Sequence, residues 1–364
     1  MRILHIMAGE TQGGAETYST DVMLSLHAQG VDQCVVMSPR APRFAELQRA
    51  GIRMAPRVLA VPFRPLQKLL LRLLIKREKP DIIHCWMRRA ASLVPKSLAQ
   101  SRLRGARETG IPQSSRAPRI IAWFGGYYDP SKFKSCGVFV GVTRDIVAHM
   151  VKNGVPAQNA HFIPTFPDVA PMPPVDRATL ATQREVKVLL ALSRLHPKKG
   201  LDTLLQALTR LPDCVAWLAG DGPLRRELEN TAKTLGVLDR VRFLGWRTDR
   251  AALLRAADVC VLPSRYEPFG TVILEAWAAG TALVACASAG PAAHVQDGVT
   301  GLLVPIDDAD ALARALRRAL DDEPLRRALI AQGYAAYIKD YTREAVTRQW
   351  MDFYKNGSPD YCVA

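Results

Sequence analysis

Short apolar runs alternate with helical segments along this chain of 364 residues. Runs that are almost continuously apolar, with about 10–20 residues of helical pattern between them, are typical of parallel sheets covered by helices on both faces. The chain is also longer than one typical domain. The pattern therefore predicts two doubly wound α/β units. Their candidate strands are residues 2–7, 33–38, 81–86, 119–124, 137–142 and 160–165 in the first unit, and 187–193, 214–220, 241–245, 259–264 and 282–287 in the second.

A proline-rich segment separates the two units. Prolines recur through residues 164–174, where they resist helix formation and cannot enter a central strand. We therefore expect a first domain over residues 1–168, a linker over 169–185 and a second domain over 186–340. Ligands of open α/β sheets bind beyond the carboxyl ends of the strands, so the predicted site lies between the two domains.

Two glutamates flank a break in an apolar segment. The stretch VCVLPSRYEPFGTVILEAWAAG (259–280) predicts a strand, a loop and a helix, with Glu267 in the loop and Glu275 about one turn into the helix. Free backbone N–H groups at such a helix start favour phosphate or sugar oxygens. Carboxylates only accept hydrogen bonds, so a pair of them suits a polyhydroxylated ligand. An ordinary strand–loop–helix connection with two unremarkable glutamates is the alternative.

Two cations follow the first strand of the second unit. In LSRLHPKKG, Arg194 and Lys199 are expected at the carboxyl end of that strand, where they can balance a diphosphate and stabilise it as a leaving group. The Gly-Asp-Gly-Pro turn after the next strand, with Gly220 and Gly222, repeats the strand–turn–helix pattern. A solvated basic loop and a common glycine-rich turn are the alternatives.

Adjacent glycines follow the first strand of the chain. Gly13 and Gly14 allow a backbone to approach a ligand closely and to present its N–H groups. The dinucleotide fingerprint GxGxxG is absent, and no acid is placed to contact a ribose in the usual manner. This disfavours a nicotinamide-dependent dehydrogenase.

The net charge of +15 lies almost entirely in the first half of the chain. Residues 1–168 hold 24 Lys and Arg against 11 Asp and Glu, whereas the remainder holds 25 against 23. Such asymmetry predicts an anionic partner. Nucleic acid is disfavoured because the sequence has no zinc-finger, RNA-recognition or helix-turn-helix signature. We therefore expect an acidic membrane surface or a phosphorylated substrate.

Two segments carry much of this excess charge. Residues 63–79 predict a basic amphipathic helix of the kind that lies on anionic membranes, and a helix whose leucines face the core is the alternative. Residues 88–119 hold eight Lys and Arg against Glu108 alone and predict a basic loop. The helix places Arg64, Lys68, Arg72 and Lys76 on one stripe and Leu66, Leu69, Leu70, Leu73 and Leu74 on another.

The composition also indicates the cellular compartment in which the protein is expected. No apolar run approaches the ~18 residues of a membrane-spanning helix. The seven cysteines are scattered without any CxxC pair, which indicates reduced thiols rather than disulfides or a zinc site. We expect a cytoplasmic protein that is peripheral on the inner face of the membrane.

Six motifs occur along the chain in a recognisable order: GGAE, SRLHPKKG, AGDGP, FLGW, AADVCVLPSRYEPFGTVILEAWAAGTALVA and VQDGVTGLLVP. In this order and spacing they resemble those of the retaining glycosyltransferases of family 4 (group 1). The resemblance implies the GT-B fold, in which two Rossmann-like, doubly wound domains face each other across a cleft. It implies an acceptor-binding domain over residues 1–168, a nucleotide-sugar-binding domain over 186–340, and a C-terminal helix over 341–364 that crosses back to the first domain.

The resemblance also implies a role for each matching residue. Glu267 would contact donor-sugar hydroxyls, and Glu275 would contact the ribose. Arg194 and Lys199 would hold the diphosphate, whose own oxygens help to take the acceptor proton. No protein nucleophile, metal or other cofactor is then expected. The implied catalytic residues are Arg194, Lys199 and Glu267, and the implied donor-binding residues are Gly13, Gly14, Gly220, Gly222, Phe269, Gly270, Thr271 and Glu275.

The acceptor side departs from the family pattern. Many members carry a His in the segment that matches residues 120–130, which reads IIAWFGGYYDP here and has none. Glu16, His84 and Asp129 are the candidates for acceptor contacts, although a single histidine at a strand end is more often structural.

The expected function is retaining transfer of a sugar from a nucleotide-sugar donor to a glycan or lipid-linked glycan acceptor, in bacterial cell-surface polysaccharide synthesis of the lipopolysaccharide type. Two alternatives stay open. A catalytically silent GT-B protein would only bind glycans or lipids, and a sugar-nucleotide epimerase or phosphorylase would release free sugar or sugar phosphate. The expected partners are the donor, the acceptor and an anionic membrane surface.

Overall fold

The computed structural model describes residues 1–10, 14–95, 98, 117–167 and 172–357. The chain divides into two compact units, Met1–Thr165 together with Arg343–Ala364, and Phe166–Thr342. Each unit contains one parallel sheet with helices packed against it. The predicted α/β fold of two doubly wound units is confirmed.

In the first unit, seven described strands form a sheet in which every pair is parallel. They are β1 (Arg2–Met7), β2 (Asp32–Met37), β3 (Arg53–Met54), β4 (Ile82–Trp86), β5 (Arg119–Phe124), β6 (Val138–Gly141) and β7 (Ala160–Phe162). The spatial order is β3-β2-β1-β4-β5-β6-β7. The accompanying helices are α1 (Gly14–Ala28), α2 (Phe44–Arg49), α3 (Arg57–Ala60), α4 (Arg64–Glu78), α5 (Met87–Leu93), α6 (Arg144–Lys152) and, from the end of the chain, α14 (Arg343–Asn356).

The second unit has a sheet of six described strands in the order β10-β9-β8-β11-β12-β13. These are β8 (Lys187–Leu192), β9 (Cys214–Ala219), β10 (Val241–Gly245), β11 (Val259–Leu262), β12 (Ala282–Cys286) and β13 (Leu302–Val304). Its helices are α7 (Leu201–Leu208), α8 (Arg225–Thr234), α9 (Arg250–Ala256), α10 (Thr271–Ala279), α11 (Ala289–His294), α12 (Ala309–Asp321) and α13 (Glu323–Asp340).

The apolar runs form the strands because both faces of each sheet are covered. All of β4 and β9 is buried, as is β1 after its first residue. Every predicted strand corresponds to an observed one, and the ends differ by at most three residues. The sequence analysis did not predict β3 and β13, which have only two and three residues.

Helix α14 completes the core of the first unit. Trp350 and Phe353 are fully buried, and the Trp350 indole N–H donates to the Tyr18 hydroxyl at 2.9 Å. The Tyr354 hydroxyl lies 2.7 Å from Nδ1 of His84. Aromatic side chains from the two ends of the chain therefore form one packed cluster.

Helix α4 has a buried face and an exposed face, and its contact with a membrane stays a prediction. Its inner face buries Leu71, Leu74 and Ile75. Its outer face leaves Leu66, Leu69 and Leu73 exposed at 40%, 51% and 55%, and Phe63 precedes them at 69%. The four predicted basic residues Arg64, Lys68, Arg72 and Lys76 are all exposed. Most of the predicted basic loop, residues 96–97 and 99–116, lies outside the described residues.

The described part of the proline-rich segment packs on the second unit. The backbone N–H of Val175 donates to the carbonyl of Ala252 at 3.1 Å. Arg177 donates to the carbonyl of Ala256 at 2.8 Å and forms an ion pair with Asp258 at 3.0 Å. These contacts fix residues 175–177 against helix α9 and the start of β11.

Candidate active site

The strand order of the second unit reverses at β8 and β11. From β8 the chain continues outward to β9 and β10, and from β11 it continues in the opposite direction to β12 and β13. Such a switch point opens a crevice at the carboxyl ends of the two central strands. Arg194 and Lys199 follow β8, and Glu267 follows β11. The fold therefore brings these separately predicted residues to one edge of one sheet.

Direct contacts hold the two loops together. Nζ of Lys199 lies 2.5 Å from Oε2 of Glu267, and both side chains are mostly buried. The backbone N–H of Tyr266 donates to the Lys198 carbonyl at 3.1 Å. Gly200 has a φ of +59°, and a Cβ there would meet the carbonyl group of Pro263. A glycine is thus required for the approach that pairs Lys199 with Glu267.

Arg265 fastens the same loops from the side, and the sequence reading missed it. Its guanidinium contacts Asp202 and Asp307, each at 2.6 Å, and donates to the Pro197 carbonyl at 2.9 Å. The hydrogen bonds to Asp202 raise the pKa of Arg265 above its usual value. Both acids are distant in sequence, so no local pattern signals this arrangement.

Gly220 and Gly222 shape the loop that carries Arg194. The N–H of Ser193 donates to Ala219 at 3.1 Å, and the N–H of Leu195 donates to Asp221 at 3.0 Å. A Cβ on Gly220 would lie 2.8 Å from the carbonyl carbon of Ser193, so a side chain cannot be fitted there. The glycines thus let the two loops run side by side, which fixes the backbone of the exposed Arg194. Their contact with a donor stays a prediction.

Helix α10 begins at the predicted Thr271, with Gly270 as its N-cap at a φ of +87°. Glu275 lies one turn inside and is 2% exposed. Its Oε1 forms an ion pair with Arg250 of helix α9 at 2.8 Å. Burial of a carboxylate costs free energy unless a partner compensates it, and Arg250 is that partner here.

Helix α11 supports the loop before α10 from behind. The N–H of Gly290 donates to the Glu267 carbonyl at 2.7 Å. The buried ring of Phe269 meets the His294 ring edge-on, with centroids 4.5 Å apart. Burial lowers the pKa of His294 to about 4, so this imidazole is neutral at neutral pH. The backbone at Glu267 and Phe269 therefore has a fixed position.

Three serines at this edge were not predicted. Ser193, Ser264 and Ser288 follow the adjacent strands β8, β11 and β12. Their hydroxyl oxygens are buried and have no hydrogen-bond partner in the part of the chain that the structure describes. Buried hydroxyls normally have partners, so three such groups at one sheet edge indicate a polar ligand or ordered water there. Their common position after three strands is the signal that sequence reading could have used.

The first unit places other predicted residues at its own switch point, between β1 and β4. Gly13 lies outside the described residues, and Gly14 is the first residue of helix α1. Glu16, also in this helix, lines a cavity of about 120 Å³ together with Gly9 and Arg43.

Met87, which the sequence reading also missed, follows β4 with a φ of +69°. A bulky residue in this conformation is strained, and such strain collects at functional sites. Met87 also lies close to Gly9, since a Cβ on that glycine would meet the Met87 methyl at 3.0 Å.

Two predicted acceptor residues have structural roles. His84 lies inside β4 rather than at its end, is fully buried, and contacts Tyr354. Burial lowers its pKa well below the usual value. A side chain enclosed in this way cannot contact an acceptor, so the prediction for His84 is wrong. Asp129 accepts from the N–H of Ser131 at 2.9 Å and caps a short helical turn, Pro130–Lys132.

The described residues provide neither a cluster of metal ligands nor a membrane-spanning helix. No group of three His, Cys, Asp or Glu side chains in the described ranges is close enough to hold a metal ion. Within those same ranges, every helix is too short or too polar to span a bilayer.

Comparison with known proteins identifies the family. Residues 174–336 match the family model "Glycosyl transferases group 1", and residues 12–170 match "Glycosyltransferase Family 4". The lipopolysaccharide core biosynthesis glycosyltransferase LpsE of Rhizobium meliloti (strain 1021) is 34% identical over 96% of this chain and 98% of its own length. LpsD of the same strain is 30% identical over 98% and 99%.

A solved structure shows the same fold. HepE of Anabaena, in complex with UDP, superposes with a TM-score of 0.78 over 98% of this chain and all of its own, at 20% identity. The same protein in complex with UDP-glucose superposes with a TM-score of 0.72. The chain therefore belongs to the family 4 (group 1) glycosyltransferases of GT-B fold and resembles enzymes of lipopolysaccharide core biosynthesis.

Proposed function

We propose that the protein transfers a sugar, with retention of anomeric configuration and without a metal, from a nucleotide-sugar donor to a lipid-linked or phosphorylated glycan of the lipopolysaccharide type. The observation that carries this proposal is the pairing of Lys199 with Glu267 at the switch point of the second sheet, in the loop that leads into the helix carrying Glu275. Two carboxylates and a fixed ammonium at one strand edge suit the two sugar rings and the diphosphate of one donor.

In this proposal each charged group has a defined task. Glu275 accepts from the ribose hydroxyls, and its ion pair with Arg250 holds the buried carboxylate in place. Glu267 accepts from the donor sugar and orients Lys199. Arg194 and Lys199 balance the charge that grows on the departing diphosphate, a task that fixed cations can perform in place of a metal.

Glu275 is only 2% exposed, so its contact with the ribose requires a local opening beside helix α10. The first backbone N–H groups of that helix begin at the exposed Thr271 and are available to phosphate oxygens. The unpartnered hydroxyls of Ser193, Ser264 and Ser288 add donors at the same edge.

Relatives support the donor and acceptor classes. HepE has been seen with UDP and with UDP-glucose, and LpsE and LpsD are named for lipopolysaccharide core biosynthesis. By likeness to them, we propose a nucleotide-sugar donor and a core-type glycan acceptor made at the inner face of the cytoplasmic membrane.

Helix α4 supports the membrane part of the proposal. Leu66, Leu69 and Leu73 form an exposed apolar ridge, and Lys68 and Arg72 lie beside it on the same helix. An apolar ridge next to cations fits the interface of an anionic bilayer. Co-sedimentation with vesicles tests it: vesicles with phosphatidylglycerol should retain the protein, and phosphatidylcholine alone should not. Equally poor retention by both would contradict membrane docking.

The donor site is tested by thermal stabilisation with UDP, GDP and ADP and their sugars. A ligand at about 100 times its Kd stabilises by about 2.7 kcal/mol, which is easily measured. Glu275→Gln should weaken binding by about tenfold or more, because a hydrogen bond to a charged group contributes about 1.5–3 kcal/mol. Glu185→Gln, an exposed glutamate in the same unit, is the matched control. Equal shifts in both variants would contradict the assignment of Glu275.

Product analysis tests the chemistry. Proton NMR of the product should show the donor's anomeric configuration, and transfer should continue in excess EDTA. An inverted product or activity that EDTA abolishes would contradict the mechanism. Binding of a nucleotide sugar without any transfer would instead favour a silent binding protein, and release of free sugar without acceptor would favour an epimerase or phosphorylase.

A further inference from the structure

A second cavity lies on the flank of the first unit, away from the carboxyl edge of its sheet. It is open, with a volume of about 520 Å³, within the range of about 300–1,000 Å³ typical of small-ligand pockets. Helix α4, helix α5 and the segment 131–135 form its walls. The described lining residues are Lys68, Arg72, Ala91, Ser92, Val94, Pro95, Ser131, Lys132, Lys134 and Ser135.

Four cations face this cavity. Lys68 and Arg72 are one turn apart on helix α4, and Lys132 and Lys134 come from the opposite wall. In the described ranges no Asp or Glu lines the cavity. Among the four cations, only Lys132 has an ion-pair partner in the described residues: its Nζ lies 3.6 Å from Oδ2 of Asp129, on the surface. Like charges that converge on one cavity repel each other, and an anion between them removes that cost.

The wall that carries the two lysines is firmly anchored. Phe133, between them, is fully buried, and its ring centroid lies 4.5 Å from that of Phe124 on β5. The hydroxyl of Ser135 is buried and donates to the Val94 carbonyl at 2.7 Å. Lys132 and Lys134 therefore extend from a fixed backbone, which lowers the entropy cost of binding a ligand between them.

This cavity and the proposed transfer site lie at opposite kinds of strand ends. The residues of the candidate active site follow the carboxyl ends of strands, whereas Ser135 lies just before the amino end of β6. On its outer side the cavity adjoins the apolar ridge of helix α4, since Lys68 and Arg72 alternate with Leu69 and Leu73. A ligand in the cavity can thus have an anionic head beside the cations and an apolar part beside the leucines.

We propose that this cavity binds a phosphate-bearing anion at a site distinct from the nucleotide-sugar site. Arg forms paired hydrogen bonds to phosphate oxygens, and Lys contributes point charges, so three lysines with one arginine fit a phosphate group. The phosphate can belong to a lipid head group or to a soluble phosphate compound, and the chemistry of recognition is the same for both.

The test compares two double variants that each remove two positive charges from helix α4. Lys68→Ala/Arg72→Ala removes cations that line the cavity. Arg64→Ala/Lys76→Ala removes exposed cations that do not line it and is the matched control. Binding of inorganic phosphate is measured by titration calorimetry. Partition onto vesicles of phosphatidylcholine with and without phosphatidic acid is measured in parallel.

Each cation that is removed near the surface should weaken partition onto anionic vesicles about fivefold, in both double variants. In the variant that lacks the cavity cations, partition should fall about tenfold further, because a charge-assisted hydrogen bond is stronger than a screened charge–charge attraction. Saturable phosphate binding that only the cavity variant loses would support the site with a soluble ligand. A vesicle defect specific to that variant, without phosphate binding, would support the site with a lipid head group.

Equal behaviour of the two double variants in both assays would overturn the proposal. A charge effect alone predicts that equality, since each variant loses two cations from one helix. Stabilisation by nucleotides, measured on the same variants, reports on the second unit and should not change. The failure of this site is therefore distinguishable from the failure of the donor site.

Discussion

Replacing Gly290 by alanine would displace the loop that carries Glu267 without changing any residue assigned to donor binding. A Cβ at this position would lie 2.5 Å from the Phe269 carbonyl oxygen and 2.6 Å from the Glu267 carbonyl oxygen. Ordinary contact begins at 3.4 Å, so the loop must move by about 0.9 Å. The same movement stretches the 2.7 Å hydrogen bond from Gly290 to Glu267.

The magnitude follows from this geometry. An added methyl group in a packed site costs about 1–3 kcal/mol. For a unit of this size each kcal/mol lowers Tm by about 2–4 °C. A misplacement near 1 Å at a reacting centre costs about a hundredfold in rate. We therefore expect Gly290→Ala to fold with a lower Tm and to lose about tenfold to a hundredfold in kcat/KM.

The assay is thermal unfolding with and without the preferred nucleotide sugar, followed by initial rates. Gly137→Ala is the matched control, because a Cβ there meets nothing within 4 Å and the backbone is not left-handed. A lower Tm with unchanged donor binding and rate in Gly290→Ala would refute the reasoning, since it would show that the position of this loop does not matter to the donor.

Three other predictions address separate contacts. Lys199→Met should raise the Kd for a nucleoside diphosphate about tenfold or more by calorimetry, and an unchanged Kd would leave Lys199 as a partner of Glu267 alone. Burial lowers the pKa of His294 from its usual 6.5 to about 4 in the folded protein. Between these two pH values the unfolded chain binds more protons than the folded one, so the free energy of unfolding falls as the pH drops from 6.5 to 4. His294→Gln should flatten that slope in urea unfolding, and an identical slope would contradict this cause. Ending the chain after Thr342 removes the buried side chains of Trp350 and Phe353. Each contributes about 1.5–3 kcal/mol to stability, so the first unit should melt at a lower temperature, and unchanged melting would contradict their role.

The sequence predicted the strands well because buried parallel strands leave continuous apolar runs. It also located the donor edge, since Arg194, Lys199 and Glu267 each follow such a run. The ends of strands can be predicted from one sequence because the end of an apolar run is a local feature. The proposed roles of these residues rest on the family resemblance and on their common position.

Contacts between distant segments were not readable. Arg265 joins Asp202 to Asp307 across 105 residues of sequence, and nothing near any of them signals the others. The sequence predicts an acceptor contact for His84 because it does not show that Tyr354 covers this side chain. The helix of residues 64–78 was ambiguous for a similar reason: which leucines are buried depends on the neighbouring elements.

The placement of helix α14 has a consequence for how the chain folds during synthesis. The second unit is one continuous segment, Phe166–Thr342, whereas the first unit needs residues from both ends. At about 5–20 residues per second, roughly 10–35 s separate the emergence of Thr165 from that of Arg343. Throughout that interval Tyr18 and His84 lack Trp350 and Tyr354. The half that is made first therefore finishes folding last, and its aromatic core is open to chaperones until helix α14 has been synthesised.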